Sequence, residues 1–143
     1  MDEEPYGMYS FLLDRTARRV KQYAQRRFKE LGFNITVDQW LVLRHLSDQK
    51  DLNQRQLADL IFKDTPTLTR IIDLLCSKGL TRRTTDPDDR RSFHVQLTAQ
   101  GRKKVEQIKP MVRPVRLKAW EGLSERDFNQ FKRILNAIYV NLQ

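Results

Sequence analysis

Between residues 36 and 97 the apolar residues change their period once, and that change limits the folds open to the chain more than any other feature. Up to Lys78 they recur at helical spacing: Val37, Trp40, Leu41, Leu43 and Leu46, then Leu57, Leu60 and Ile61, then Leu68, Ile71, Ile72 and Leu75. After Gly79 the spacing shortens. Phe93, Val95 and Leu97 alternate with Ser92, His94 and Gln96, a period of two that lays one face of a strand on a core. Thr81 to Thr85 is Thr-rich, and Asp86-Pro87-Asp88-Asp89 is turn chemistry, so this stretch reads as a β-hairpin. Short helix, tight turn, second helix and hairpin is the order of a winged helix-turn-helix.

Local signals bound these elements. Thr36 and Gln39 form a capping box at the start of one helix, and Asn53 and Gln56 repeat it for the next, with Leu52 and Leu57 as a hydrophobic staple. Thr65 reads as the cap of the following helix and Pro66 as its first residue. Gly79 supplies a left-handed stop. A helix from about Tyr6 to Leu31 precedes this unit, ended by Gly32 and Asn34. Thr98 opens another behind the hairpin, in which Pro110 and Pro114 are expected to cause a kink or an interruption. Ser124 to Asp127 caps the last helix, with Leu123 and Phe128 as its staple. Its apolar residues Phe128, Phe131, Leu135, Ile138 and Leu142 repeat at 3, 4, 3, 4, a heptad-like seam too apolar for a solvated helix.

Charge points to a polyanionic partner. The chain holds 27 Lys and Arg against 18 Asp and Glu, for a formal net charge of +9. Ten of the basic and five of the acidic residues lie between Lys63 and Lys104, and the acids gather in the hairpin turn. A basic two-stranded ribbon can follow a DNA backbone while a helix fits the major groove. Seven further basic residues between Arg15 and Lys29 read first as a solvated face. No stretch is apolar enough to cross a bilayer, and the acidic start, Met1 to Glu4 before Pro5, does not resemble a signal peptide. The lone Cys76 excludes an intramolecular disulfide and fits a cytoplasmic location; it reads as a partly buried small residue. His45 and His94 match no zinc spacing, and Asp86, Asp88 and Asp89 beside two arginines read as an ion-paired turn, so no metal and no cofactor is expected. There is no Gly-rich phosphate loop and no nucleophile-base motif, so the chain is not expected to be an enzyme. Tyr23 and Trp40 read as core, with a ligand cavity as the alternative.

The runs Thr65-Pro66-Thr67-Leu68-Thr69-Arg70-Ile71-Ile72-Asp73, Lys78-Gly79-Leu80, Asp86-Pro87-Asp88-Asp89-Arg90-Arg91-Ser92 and Val95-Gln96-Leu97-Thr98-Ala99-Gln100-Gly101 together resemble the MarR-type transcriptional regulators. The resemblance covers essentially the whole chain. It implies a mainly α fold with a small β-hairpin: one domain, residues 1–143, with a winged helix-turn-helix lobe at about 36–98 and dimerisation helices at about 6–31 and 99–143. It also implies a cytoplasmic homodimeric repressor of a palindromic duplex operator, and a cleft between the lobes for a small aromatic or phenolic effector. Carried onto this sequence, Thr65, Pro66, Thr67, Thr69 and Arg70 would address the major groove, and Arg91, secondarily Arg90, a narrow minor groove. Asp89 of the Asp-x-Arg pattern would hold one arginine in place. A basic RNA-binding module and a winged-helix protein-interaction adaptor are the alternatives; the absence of an aromatic stacking surface counts against the first and the basic hairpin against the second.

Overall fold

The computed structural model describes residues 5–143, so the acidic start read at Met1 to Glu4 lies outside the described residues. The elements in chain order are α1 (Tyr9–Glu30), α2 (Val37–Asp48), β1 (Leu52–Asn53), α3 (Gln54–Ile61), α4 (Thr65–Ser77), β2 (Thr81–Thr85), β3 (Phe93–Leu97) and α5 (Ala99–Leu117). A single 3-10 turn (Lys118–Trp120) leads to α6 (Glu125–Asn141). The expected capping boxes form at Thr36/Gln39, Asn53/Gln56 and Ser124/Asp127. Gly79 takes φ +76° and turns the chain out of α4 into β2.

The hairpin carries a third strand that the sequence pattern does not announce. β1 pairs antiparallel with β3, giving the order β1-β3-β2, with Leu52 opposite Val95 and Asn53 opposite His94. Two residues are too few to display a period. What fixes them is the burial of Leu52 against Val95, which is fully enclosed. The core is shared by α1 to α5 and the sheet, through Phe28, Leu43, Leu57, Leu68, Ile72, Val95 and Ile108. Each large aliphatic side chain removed from water there contributes about 1.5–3 kcal/mol. α6 contributes no buried residue, and Phe28 is the one buried residue of α1.

Several expectations change in detail. Leu41 and Leu60 point outward, each 37% exposed, because they lie off the buried face of their helices, Leu41 by nearly half a turn and Leu60 by about a third; Ala58 takes the inner position on α3. On α5, where helical spacing allows either Met111 or Val112 inside, Val112 faces the core. The cap of α4 is Asp64, one residue earlier than Thr65, which puts Pro66 at the second helical position. α5 is not interrupted: it runs through Pro110 and Pro114 as one helix. Both prolines are exposed. The carbonyls of Glu106 and Pro110, which lose their helical donors, therefore lie on the solvent side, where water can serve them.

α5 packs close to the wing's base. Thr98 caps α5 by accepting from Gly101 N (3.0 Å), while its hydroxyl donates to the Gly79 carbonyl (2.6 Å) and its N–H to the Leu80 carbonyl (3.1 Å). A Cβ on Gly101 would sit 2.0 Å from Leu80 O, and that atom is backbone that cannot swing away. Gly101→Ala, although it raises helix propensity, is therefore expected to destabilise by about 1–3 kcal/mol, read as a lower denaturant midpoint at unchanged m-value. An unchanged or raised midpoint would contradict this packing.

Candidate nucleic-acid interface

The exposed start of α4 follows from the way its cap is built. Asp64 accepts from Thr67 N (2.8 Å) and from the Thr67 hydroxyl (3.0 Å). These bonds, the backbone one first, hold the Asp64 carboxyl below the usual carboxylate range. The Thr69 hydroxyl donates to the Thr65 carbonyl (2.9 Å) and accepts from Gln54 Nε2 (2.9 Å) at the head of α3. Thr67 and Thr69 are half-buried and spend their hydroxyl protons inside the protein, whereas Thr65, Pro66 and Arg70 are exposed. Sequence reasoning placed all five together on one helix start; it did not foresee that Gln54 clamps the two helices through Thr69.

The wing turn is made by its own backbone. Asp86 N donates to Ser92 O (3.1 Å), Ser92 N to Asp89 O (3.1 Å), and the Asp86 carboxylate accepts from Asp88 N (2.8 Å). Asp89 accepts from the backbone N–H of Arg91 (2.9 Å). Its carboxylate thus fixes the main chain and leaves both guanidinium groups alone. The ion-paired turn expected from the sequence is absent in that form, because each of these acids that is engaged accepts from the main chain, and Asp86 in addition faces His94. Among the described residues, the guanidinium groups of Arg70, Arg90 and Arg91 have no hydrogen-bonded or ionic partner, and all three residues are exposed.

Some of the other basic residues are paired. Arg18 pairs with Asp14 (3.0 Å), Lys21 with Asp38 (3.1 Å), and Arg26 and Arg27 with Glu30. Arg83 of β2 pairs with Asp73 of α4 and lies 5.0 Å over the Phe93 ring, tying wing to helix. Lys78 donates to the Asn34 carbonyl (2.7 Å) and to Gln39 (3.2 Å). Cys76 is half-buried with Sγ 3.2 Å from the Thr81 hydroxyl.

Between α1, α2 and α5 lies a cleft of about 1100 Å³. Trp40 and Tyr23 both line it; Tyr23 is only half-buried, so the core reading does not hold for it. Arg19, Arg44 and Arg116 are among eight basic residues on its walls, against a single acid, Asp38.

A buried three-helix unit with a three-stranded wing and an uncompensated basic edge defines a winged helix-turn-helix protein. Residues 35–93 match the model of the MarR family. The structure of MepR from S. aureus in complex with DNA aligns with a TM-score of 0.80 at 27% identity, covering 93% of this chain and 97% of that one. A mutant MarR from E. coli complexed with operator DNA shares the fold, with a TM-score of 0.83 at 21% identity over 95% of this chain and 99% of that one. The HTH-type transcriptional repressor IacR of Pseudomonas putida is 23% identical over 93% of this chain and 78% of its own length.

The clamp between α3 and α4 gives a testable consequence. Thr69→Val keeps the shape and removes both hydroxyl bonds, and is expected to cost about 1 kcal/mol of stability. In a double-mutant cycle with Gln54→Ala the two changes should be less than additive; strict additivity would show that the pair does not couple.

Proposed function

We propose that the chain is a DNA-binding transcriptional repressor that grips a palindromic duplex operator as a homodimer. The observation that carries this reading is where three exposed arginines without an ion-pair partner among the described residues stand: Arg70 on the exposed start of α4, and Arg90 and Arg91 on the wing turn, in a chain of net charge +9. Guanidinium groups without a carboxylate partner are available for phosphate, for guanine in the major groove, or for the negative potential of a narrow minor groove. MepR, a relative seen on DNA, supports a DNA-binding role. In the proposed reading Thr65, Pro66 and Arg70 meet the major groove, Thr67 and Thr69 set the helix start that presents them, Arg91 and then Arg90 enter the minor groove, and Asp89 holds the Arg91 backbone.

Dimerisation follows from the two ends of the chain. Phe11, Leu12, Phe128, Phe131 and Ile134 are each more than two-fifths exposed, and a surface that apolar calls for a partner. Residues 6–31 and 99–143 are accordingly assigned to a dimer lobe and 36–98 to the DNA-binding lobe. The cleft between α1, α2 and α5, aromatic inside and basic around it, suits a small aromatic or phenolic acid. Such an effector would act by binding one spacing of the two α4 helices better than the other. No described helix is long and apolar enough to cross a membrane, and we place the protein in the cytoplasm, acting through binding and not catalysis.

Arg91→Ala should weaken operator binding by about 1–3 kcal/mol and reduce the salt slope of log affinity by about one. Loss should be greatest at A·T-rich flanks. Wild-type affinity in a folded Arg90→Ala, Arg91→Ala double variant, measured by fluorescence anisotropy, would contradict the assignment of the wing. Phe131→Glu with Ile138→Glu should convert a dimer to a monomer in sedimentation at micromolar concentration. A full-length wild-type protein that sediments as a well-folded monomer would refute the dimer.

A further inference from the structure

Both ring nitrogens of His94, on β3, face carboxylates. Nδ1 lies 2.9 Å from Asp51, which precedes β1, and Nε2 lies 2.9 Å from Asp86, which opens the wing turn. Asp86 lies in the same hairpin as His94, whereas Asp51 is distant in sequence, and the ring bridges the two. The His94 side chain is 23% exposed and that of Asp86 only 18%. Gln96 donates a further bond to Asp51 (3.0 Å), while Thr84, opposite His94 on β2, bonds Gln96. A neutral imidazole has one N–H and can donate to only one carboxylate, so its bare nitrogen would then face the other carboxylate lone pair to lone pair. Only the imidazolium satisfies both. The remaining charged group on this face of the sheet is Arg82, one pair along β2 opposite Gln96.

We propose that His94 is a positioning residue for DNA binding, tying the wing turn to the segment that enters α3, and that this tie requires a proton. The proposal rests on the wing being a DNA-contacting element. Asp86 also braces the turn through Asp88 N, so the loop that carries Arg90 and Arg91 is anchored at its first residue to the helix-turn-helix unit. Consistently, the bonds to Asp86 and then Asp51 raise the His94 pKa above its ordinary value, and Asp86 is held below the usual carboxylate range by Asp88 N and then His94.

The sign follows from linkage. Bound DNA holds the wing in its tied form, so the complex keeps the His94 proton more tightly than the free protein does. Affinity is then full below the free protein's midpoint and is lost as pH rises through the midpoint of the complex. Each unit between the two midpoints is worth a factor of about ten in affinity.

The test uses the full chain on its selected operator, by anisotropy between about pH 5.5 and 8.5 at fixed ionic strength, with a ring-proton NMR titration of the free protein. The sequence has only two histidines, so His94→Gln assigns the signal. We expect wild-type affinity to fall several-fold, up to roughly tenfold, across the range. We expect a flat profile for His94→Gln, and a lowered midpoint with a shallower profile for Asp51→Asn. The salt slope should be the same at both ends, because a positioning residue adds no phosphate contact. A wild-type profile that His94→Gln reproduces would overturn the proposal while leaving DNA binding intact, as would a salt slope that drops by one with rising pH. If His94→Gln fails to fold, Asp51→Asn decides, and an unchanged profile there overturns it. Absence of wild-type binding at every pH would remove the function and the proposal together.

Discussion

At residues 79–81 and 97–101 the end of α4, both strands of the wing and the first turn of α5 come within hydrogen-bonding distance of one another. Gly79 and Leu80 offer their carbonyls to Thr98, and Gly101 lets α5 approach the Leu80 backbone where any side chain would collide. One small joint thus sets the angle of the wing to α4 and the direction in which α5 leaves for the chain's far end. Arg83, bonded to Asp73 and lying over Phe93, adds a second tie between the wing and α4. On the proposed reading, the spacing of contacts in two neighbouring grooves is thereby built into one protomer.

Pairing neutralises some of the many basic residues and leaves others, Arg70, Arg90 and Arg91 among them, without an ionic partner among the described residues. α1 carries a dense run of them, yet Asp14, Asp38 and Glu30 take up Arg18, Lys21, Arg26 and Arg27. On the wing the acids are as numerous, but Asp86 and Asp89 accept from backbone N–H groups. That use makes the turn stiff without neutralising Arg90 and Arg91. A surface pair in water is worth little in stability, so the difference matters mainly for the field that a phosphate backbone meets.

The helices and the hairpin were legible because each is written in contiguous residues: caps at Thr36, Asn53 and Ser124, a period of two from Phe93 to Leu97, and a left-handed glycine at Gly79. Contacts between distant segments were not. The two-residue strand β1 has no period to read, and the bridge from Asp51 to His94 exists only once β1 and β3 are paired. Gln54 looked like part of a cap and proved to clamp Thr69. Asp64 outcompeted Thr65 as the cap because its carboxylate can take both the N–H and the hydroxyl of Thr67. Pro110 and Pro114 failed to break α5 because both face solvent, which the sequence pattern alone does not give.

The central claim is that two copies of one rigid α4-wing body address a two-fold duplex site. Hydroxyl-radical footprinting of the full-length protein on an operator selected from random duplex tests it most directly. The account predicts two symmetric sets of protection, each joining a major-groove segment to an adjacent minor-groove segment, with the two centres about 34–36 Å or a whole multiple of a helical turn apart. A single asymmetric footprint, or protection with no minor-groove component, would contradict it.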